Sequence, residues 1–255
     1  MRGANVLAAA VLSGCVSLCA AVPVSAQTAS LPAPPPGMET YYFGLLYRGP
    51  AWTPGETEAT RKIQEGHMAN IQRMADAGAL VAAGPMDGDG PLRGIFIFKV
   101  KTADEAGKLA AEDPAIKVGR LTLEIHPWWG PAGIGARYAA EHKADPSAKV
   151  NMRTYQLALL KGVDGAQAAT SGQQRAHLQH IADMQGAGKL AAVGPMLDDG
   201  PLLGVFVFNT DADEARKLAA ADPHIKDGRM RLELLTWWCA DHVLPDTLPP
   251  VPVGK

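Results

Sequence analysis

Two imidazoles and two carboxylates recur in this chain in matching surroundings. His67 and His177 each begin a run with apolar residues at helical spacing, Ile71 and Met74 after the first, Ile181 and Met184 after the second. Asp113 and Asp222 are each followed by proline. An imidazole titrates near neutral pH, so a partly buried histidine beside a carboxylate is suited to act as a general base. A plainer reading also stands for each. A buried histidine can be satisfied by a carbonyl, and Asp-Pro is what a helix start needs, carboxylate as cap and proline at the first helical position. The two roles of the aspartate are compatible, and the spacing alone leaves open whether it meets the histidine.

Four further residues recur beside them. Arg120 and Arg229 follow a glycine after each Asp-Pro and are suited to hold an anionic or phenolate ligand, or to stand solvated at a strand start. Met86 and Met196 follow Gly-Pro at a strand end, on a ligand-pocket wall or simply packed. His177 and His180 have metal-ligand spacing, but the first copy carries Asn70 there, so no metal site is expected. The sequence has no glycine-rich phosphate loop and no serine elbow, and it implies no cofactor. Cys239 answers to Gly130 in the first copy, which argues against a nucleophilic thiol.

What positions these residues is a duplication. Residues 67–98 and 177–208 align without a gap at an offset of 110, with 17 identities in 32 positions. After a one-residue deletion, Asp113-Pro114 matches Asp222-Pro223 and Trp128-Trp129 matches Trp237-Trp238 at an offset of 109. Upstream, Tyr42 to Gly49 aligns with Tyr155 to Gly162 at an offset of 113. A unit of ~90 residues suits a compact domain, too long for a solenoid repeat.

Periodicity orders each unit. Tyr42 to Tyr47 reads as a strand, about Thr57 to Ala77 as a helix stopped by Gly78, and Leu80 to Ala83 as a second strand. Ile95 to Val100 is a third strand, apolar on both faces. Thr102 caps a helix from about Ala103 to Ala111, and Leu121 to Ile125 is the fourth strand. The order is β-α-β-β-α-β, the ferredoxin-like unit. A sheet apolar on both faces must be covered on both, and the other copy is the simplest cover.

The helix with His67 before Gly84-Pro85-Met86, the strand from Gly94 to Val100, and Asp113-Pro114 before the last strand together resemble the YCII-related (YciI-like) family. The second copy carries the same set as His177, Gly194-Pro195-Met196, Gly204 to Phe208 and Asp222-Pro223. The resemblance implies an α+β fold: two ferredoxin-like βαββαβ units packed sheet to sheet as a dimeric α/β barrel, here within one chain, with a cleft in each unit. It also implies a His–Asp pair as the catalytic feature, and small, often aromatic, organic molecules as ligands.

The division expected is a signal peptide over 1–26, a proline-rich spacer over 27–40, units over 41–129 and 154–239, a linker over 130–153 and a proline-rich tail over 240–255. Arg2, the apolar run Val6 to Val24 and the small residues to Ala26 form the export signature, which places the protein in the periplasm or outside the cell. Leu12-Ser13-Gly14-Cys15 offers the alternative of a lipid anchor on Cys15. After cleavage the chain keeps Cys239 alone, which excludes an intrachain disulfide, and no stable membrane insertion is expected. Both proline-rich arms are expected to pack poorly. With 24 basic against 26 acidic residues and no basic run, nucleic acid is excluded as a partner. The expected partner is a small molecule, with further self-association open. The expected activity is proton transfer, as lyase, isomerase or hydrolase. The alternative is a binding module without turnover.

Overall fold

Alternation along the first strand shows why the chain needs two layers of cover. In β1 (Met38–Arg48), Tyr41, Phe43 and Leu45 point to one buried face, Tyr42 and Leu46 to the other. The computed structural model describes residues 31–253, and residues from Ala33 onward form one unit. The export signature and Cys15 lie outside the described residues.

The first repeat continues with α1 (Glu58–Asp76), β2 (Leu80–Pro85), β3 (Leu92–Phe98), α2 (Ala103–Ala111), the single turn α3 (Pro114–Lys117) and β4 (Leu121–Pro131). Then comes α4 (Ala136–Ala144), inside the expected linker. The second repeat runs β5 (Met152–Gly162), α5 (Ser171–Gly186), β6 (Leu190–Pro195), β7 (Leu202–Phe208), α6 (Ala212–Ala220), α7 (Pro223–Lys226) and β8 (Met230–Ala240). Each repeat forms a four-stranded antiparallel sheet, ordered β2-β3-β1-β4 and β6-β7-β5-β8. Thr57 and Thr170 start the long helices with reciprocal caps on Thr60 and Gln173.

The two sheets face each other and join at both edges. Met86 bridges to Trp237 and Trp128 to Met196. The Asp87 amide donates to the Thr236 carbonyl, and the Leu197 amide to the Pro127 carbonyl, each at 2.8 Å. The fold is therefore two ferredoxin-like units closed into a dimeric α/β barrel within one chain. Its central core holds Phe43, Trp128, Leu157 and Trp237, with separate cores under the helices of each unit. The tryptophans Trp128 and Trp237 are fully buried between the units, as an interface role requires.

Three readings of the sequence need correction. The first strand aligns with its copy at an offset of 114, not 113. Tyr41 and Tyr155 occupy equivalent places opposite Trp128 and Trp237, while Tyr42 corresponds to Gln156. A one-residue slip would turn every side chain to the wrong face. The fourth strand runs on past Ile125 to Pro131, because Trp128 belongs to the barrel interior and β4 must reach β6. The C-terminal tail is packed, not loose. Val243 and Leu244 are buried in the barrel core, and Leu248 and Val251 lie against the second unit's helix layer. The Gln185 amide fixes the tail by donating to the carbonyls of Leu248 and Pro249.

Candidate functional site

The histidines come from the faces of α1 and α5 that rest on the sheets, and the aspartates from the caps of α3 and α7. Asp113 Oδ1 accepts from the Ala115 amide at 2.8 Å, the capping bond that Asp-Pro promises. Its second oxygen, Oδ2, lies 2.7 Å from His67 Nδ1 and accepts from the Asn70 amide at 3.4 Å. Asp222 repeats the pattern, with the His224 amide on Oδ1 at 2.8 Å and His177 Nδ1 2.7 Å from Oδ2. One carboxylate thus caps a turn and holds an imidazole, and both contacts form within a unit. The rings stack on the sheet, His67 over Phe96 and His177 over Phe206.

Burial pushes the Asp113 and Asp222 carboxyls up, but the histidine, the capping amide and their neighbours together hold both below the usual carboxylate value. Each is therefore a carboxylate that accepts a hydrogen bond from the ring Nδ1–H, and in the neutral imidazole this places the lone pair on Nε2. Among the described residues, Nε2 of His67 and of His177 has no hydrogen-bond partner.

In the second unit His177 lines a cavity of about 370 Å³. Its wall is largely apolar, with Phe206, Leu203 and Trp129, and its polar side chains are Gln174, His177 and His224. Pro35 and Pro36 of the spacer and residues 248–252 of the tail close it. Ending the chain at Thr247 is expected to unroof this cavity. Loss of the Leu248 and Val251 contacts should cost about 1–2 kcal/mol, and binding of a hydrophobic dye should rise. Unchanged dye fluorescence and unfolding midpoint would count against the tail as a roof.

None of the other four candidates lines this cavity. Met86 and Met196 are buried in the barrel core at the seams, and neither lines the cavity beside His177. Arg120 donates to the Thr53 hydroxyl at 3.0 Å and lies over the Trp52 ring, shared with Arg48 and Arg93. Arg229 donates to the carbonyls of Gln167 and Ala168. Both arginines thus fasten the loop before the long helix of their unit. His180 is spent on the Leu218 carbonyl, so its spacing to His177 does not make a ligand pair.

Two histidines escaped the sequence reading. His224 is buried and stacks on His177 with ring centroids 4.5 Å apart. Burial and the adjacent His177 push it down from the ordinary histidine value. The visible signal was a histidine directly after Asp-Pro where the first copy has Ala115. His126 crosses between units, with Nδ1 2.7 Å from Asp198 and Nε2 2.9 Å from Glu124. Its counterpart is Leu235, so the repeat gave no hint of it. Cys239 is buried, and burial pushes its thiol up, away from nucleophilic use.

Comparison with known proteins gives one family. The profile of the YCII-related domain matches residues 42–128 and again 154–237. No curated protein matches the chain. Among solved structures it is similar to a candidate chlorite dismutase, at 9% identity and TM-score 0.49, over 79% of this chain and 95% of that one. A candidate monooxygenase from Lactobacillus acidophilus shares 15% identity at TM-score 0.42, over 78% and 93% of the two chains. A heme-binding protein from Thermus thermophilus shares 14% at TM-score 0.47, over 83% and 94%. No helix of the described residues is long and apolar enough to cross a membrane.

Proposed function

The chain belongs to the YCII-related family, and from that premise we propose that it is an exported enzyme using His–Asp pairs for proton transfer on a small organic molecule. The observation that carries this reading is the duplicated contact of 2.7 Å between a buried carboxylate and Nδ1, with Nε2 left unpartnered. Asp113 and Asp222 orient His67 and His177 and stabilise each imidazolium once it has taken a proton on Nε2. The largely apolar cavity beside His177 suits a small aromatic or unsaturated substrate. Export rests on the signature over 1–26, and Cys15 keeps lipid attachment as its variant.

The test is a panel of small aromatic and unsaturated compounds, screened by thermal shift and then for turnover. Hits that are converted by the wild type should be converted about 10²–10⁴-fold more slowly by the His67→Ala/His177→Ala double variant. A second reading, ligand binding without turnover as storage or sensing, finds support in the roofed cavity. It is the outcome if hits stabilise the protein and no compound is converted.

A further inference from the structure

Three arginines of the first unit meet at one end of its sheet. Arg48 ends β1, Arg93 stands near the start of β3, and Arg120 directly precedes β4. These strands are neighbours, with Tyr47 paired to Leu92 and Arg48 to Leu121. The guanidinium carbons of Arg48, Arg93 and Arg120 stand 5.0, 5.3 and 4.3 Å from the centre of the Trp52 ring. Cation–π attraction orients each of them and neutralises none. Among the described residues, Arg93 and Arg120 make no ion pair. Arg48 has Asp89 alone, at 3.5 Å, and that side chain is fully exposed. Arg48 Nε is buried without a hydrogen-bond partner. Arg93 spends Nη1 on the carbonyls of Gly88 and Gly90, and Arg120 spends Nη1 on the Thr53 hydroxyl. Three like charges held together with donors to spare repel one another until an anion joins them.

The cluster belongs to the sheet face that His67 uses. Trp52 packs on the core under the first unit's helices, which includes Phe96, the ring beneath His67. Arg93 and Phe96 are both on β3, about 10 Å apart along the strand. Leu203, which matches Arg93 in the second copy, lines the cavity beside His177. Of the three arginines the second copy keeps only Arg229, since Gly162 takes the strand position of Arg48.

We propose that Arg48, Arg93 and Arg120 bind the carboxylate or phosphate group of a small organic anion, with the rest of the molecule directed toward His67. Guanidinium forks match both groups in shape and charge. Trp52 holds the forks in place beforehand, which lowers the ordering that binding requires. The units then differ in what they take, an anion in the first and a largely apolar molecule in the second. Naming an anionic substrate for His67 rests on the proton-transfer reading, whereas the anion site itself does not. Anions that bind and are never converted leave the site standing and remove the reading. Conversion by a protein that binds no anion does the reverse.

The experiment is calorimetric titration of the full chain at physiological ionic strength, where scattered surface charges are screened. The probes are benzoate and phenyl phosphate, with benzamide as the neutral counterpart and inorganic phosphate as the bare anion. Saturable binding of one of the two organic anions is expected, and the tighter one tells carboxylate from phosphate. Benzamide should bind at least about tenfold more weakly than that anion. Arg93→Leu, which installs the residue of the second copy, should weaken the anion by a similar factor. Arg216→Ala removes an equal charge from α6 and should leave binding unchanged. No saturable binding of either anion, benzamide binding as tightly, or equal behaviour of the two arginine variants overturns the assignment. Inorganic phosphate binding as tightly as both organic probes overturns its organic part.

Discussion

Replacing Asp222 with alanine is expected to lower stability by about 3 kcal/mol. The carboxylate is fully buried. Its removal strands the Nδ1–H of His177 inside the protein and frees the first turn of α7, whose His224 amide it caps. Urea unfolding at neutral pH measures the loss, and an effect below about 1 kcal/mol would show that water replaces the carboxylate. The pH dependence follows from the same contacts. Both aspartates are held below the ordinary value of 3.8 in the folded protein. In the unfolded chain they titrate near that ordinary value, so the unfolded state binds protons first as pH falls. Their contribution is complete above about pH 5, and it is lost as acid reaches the lowered folded values. The Asp113→Asn/Asp222→Asn variant should therefore show a shallower acid limb than the wild type. Parallel limbs would remove the aspartates as its cause.

Gly194→Ala is the second large effect. A Cβ here would run into the backbone carbonyl of Trp129 and come within 3.0 Å of the Trp128 indole nitrogen. Gly84 faces Trp238 and Trp237 in the same way at the other seam. A backbone carbonyl cannot swing aside as a flexible side chain does, so the substitution must pry β6 from β4. A loss of about 3 kcal/mol or more is expected, at the upper end for overpacking. Gly186→Ala is the matched control, in the last turn of α5 with nothing near its Cβ. It should leave stability unchanged or raise it by up to about 1 kcal/mol. Equal effects for the two would mean that the seam does not close the barrel.

Element order was legible because repetition and periodicity agree. Thr102 with Ala103 to Ala111, and the helix after Thr57, stand where caps and spacing put them. The pairing of His67 with Asp113 was legible only as an implication of the family resemblance, since 46 residues of chain separate them. Two kinds of feature were not legible. Registers of short apolar strands are ambiguous when both faces are buried, and matching Tyr42 to Tyr155 by identity slipped the alignment by one. Contacts unique to one copy have no repeat to announce them. His126 finds Asp198 only once the barrel closes, and His224 finds His177 only once α7 packs on α5. The tail was misread because proline-rich composition says how stiff a segment is, not what lies beneath it.

The linker from β4 to β5 has a consequence for how the barrel survives dilution. A barrel assembled from two separate chains is held by mass action, and below its dissociation constant each sheet loses its cover. Here α4 and its flanks tether the halves, and the partner's effective concentration is millimolar for any flexible link of such length. Joining the units makes closure a first-order event, so the barrel exists in a single molecule. It also releases the halves from being identical: one carries His126 where the other has Leu235, and one has Ala115 where the other has His224.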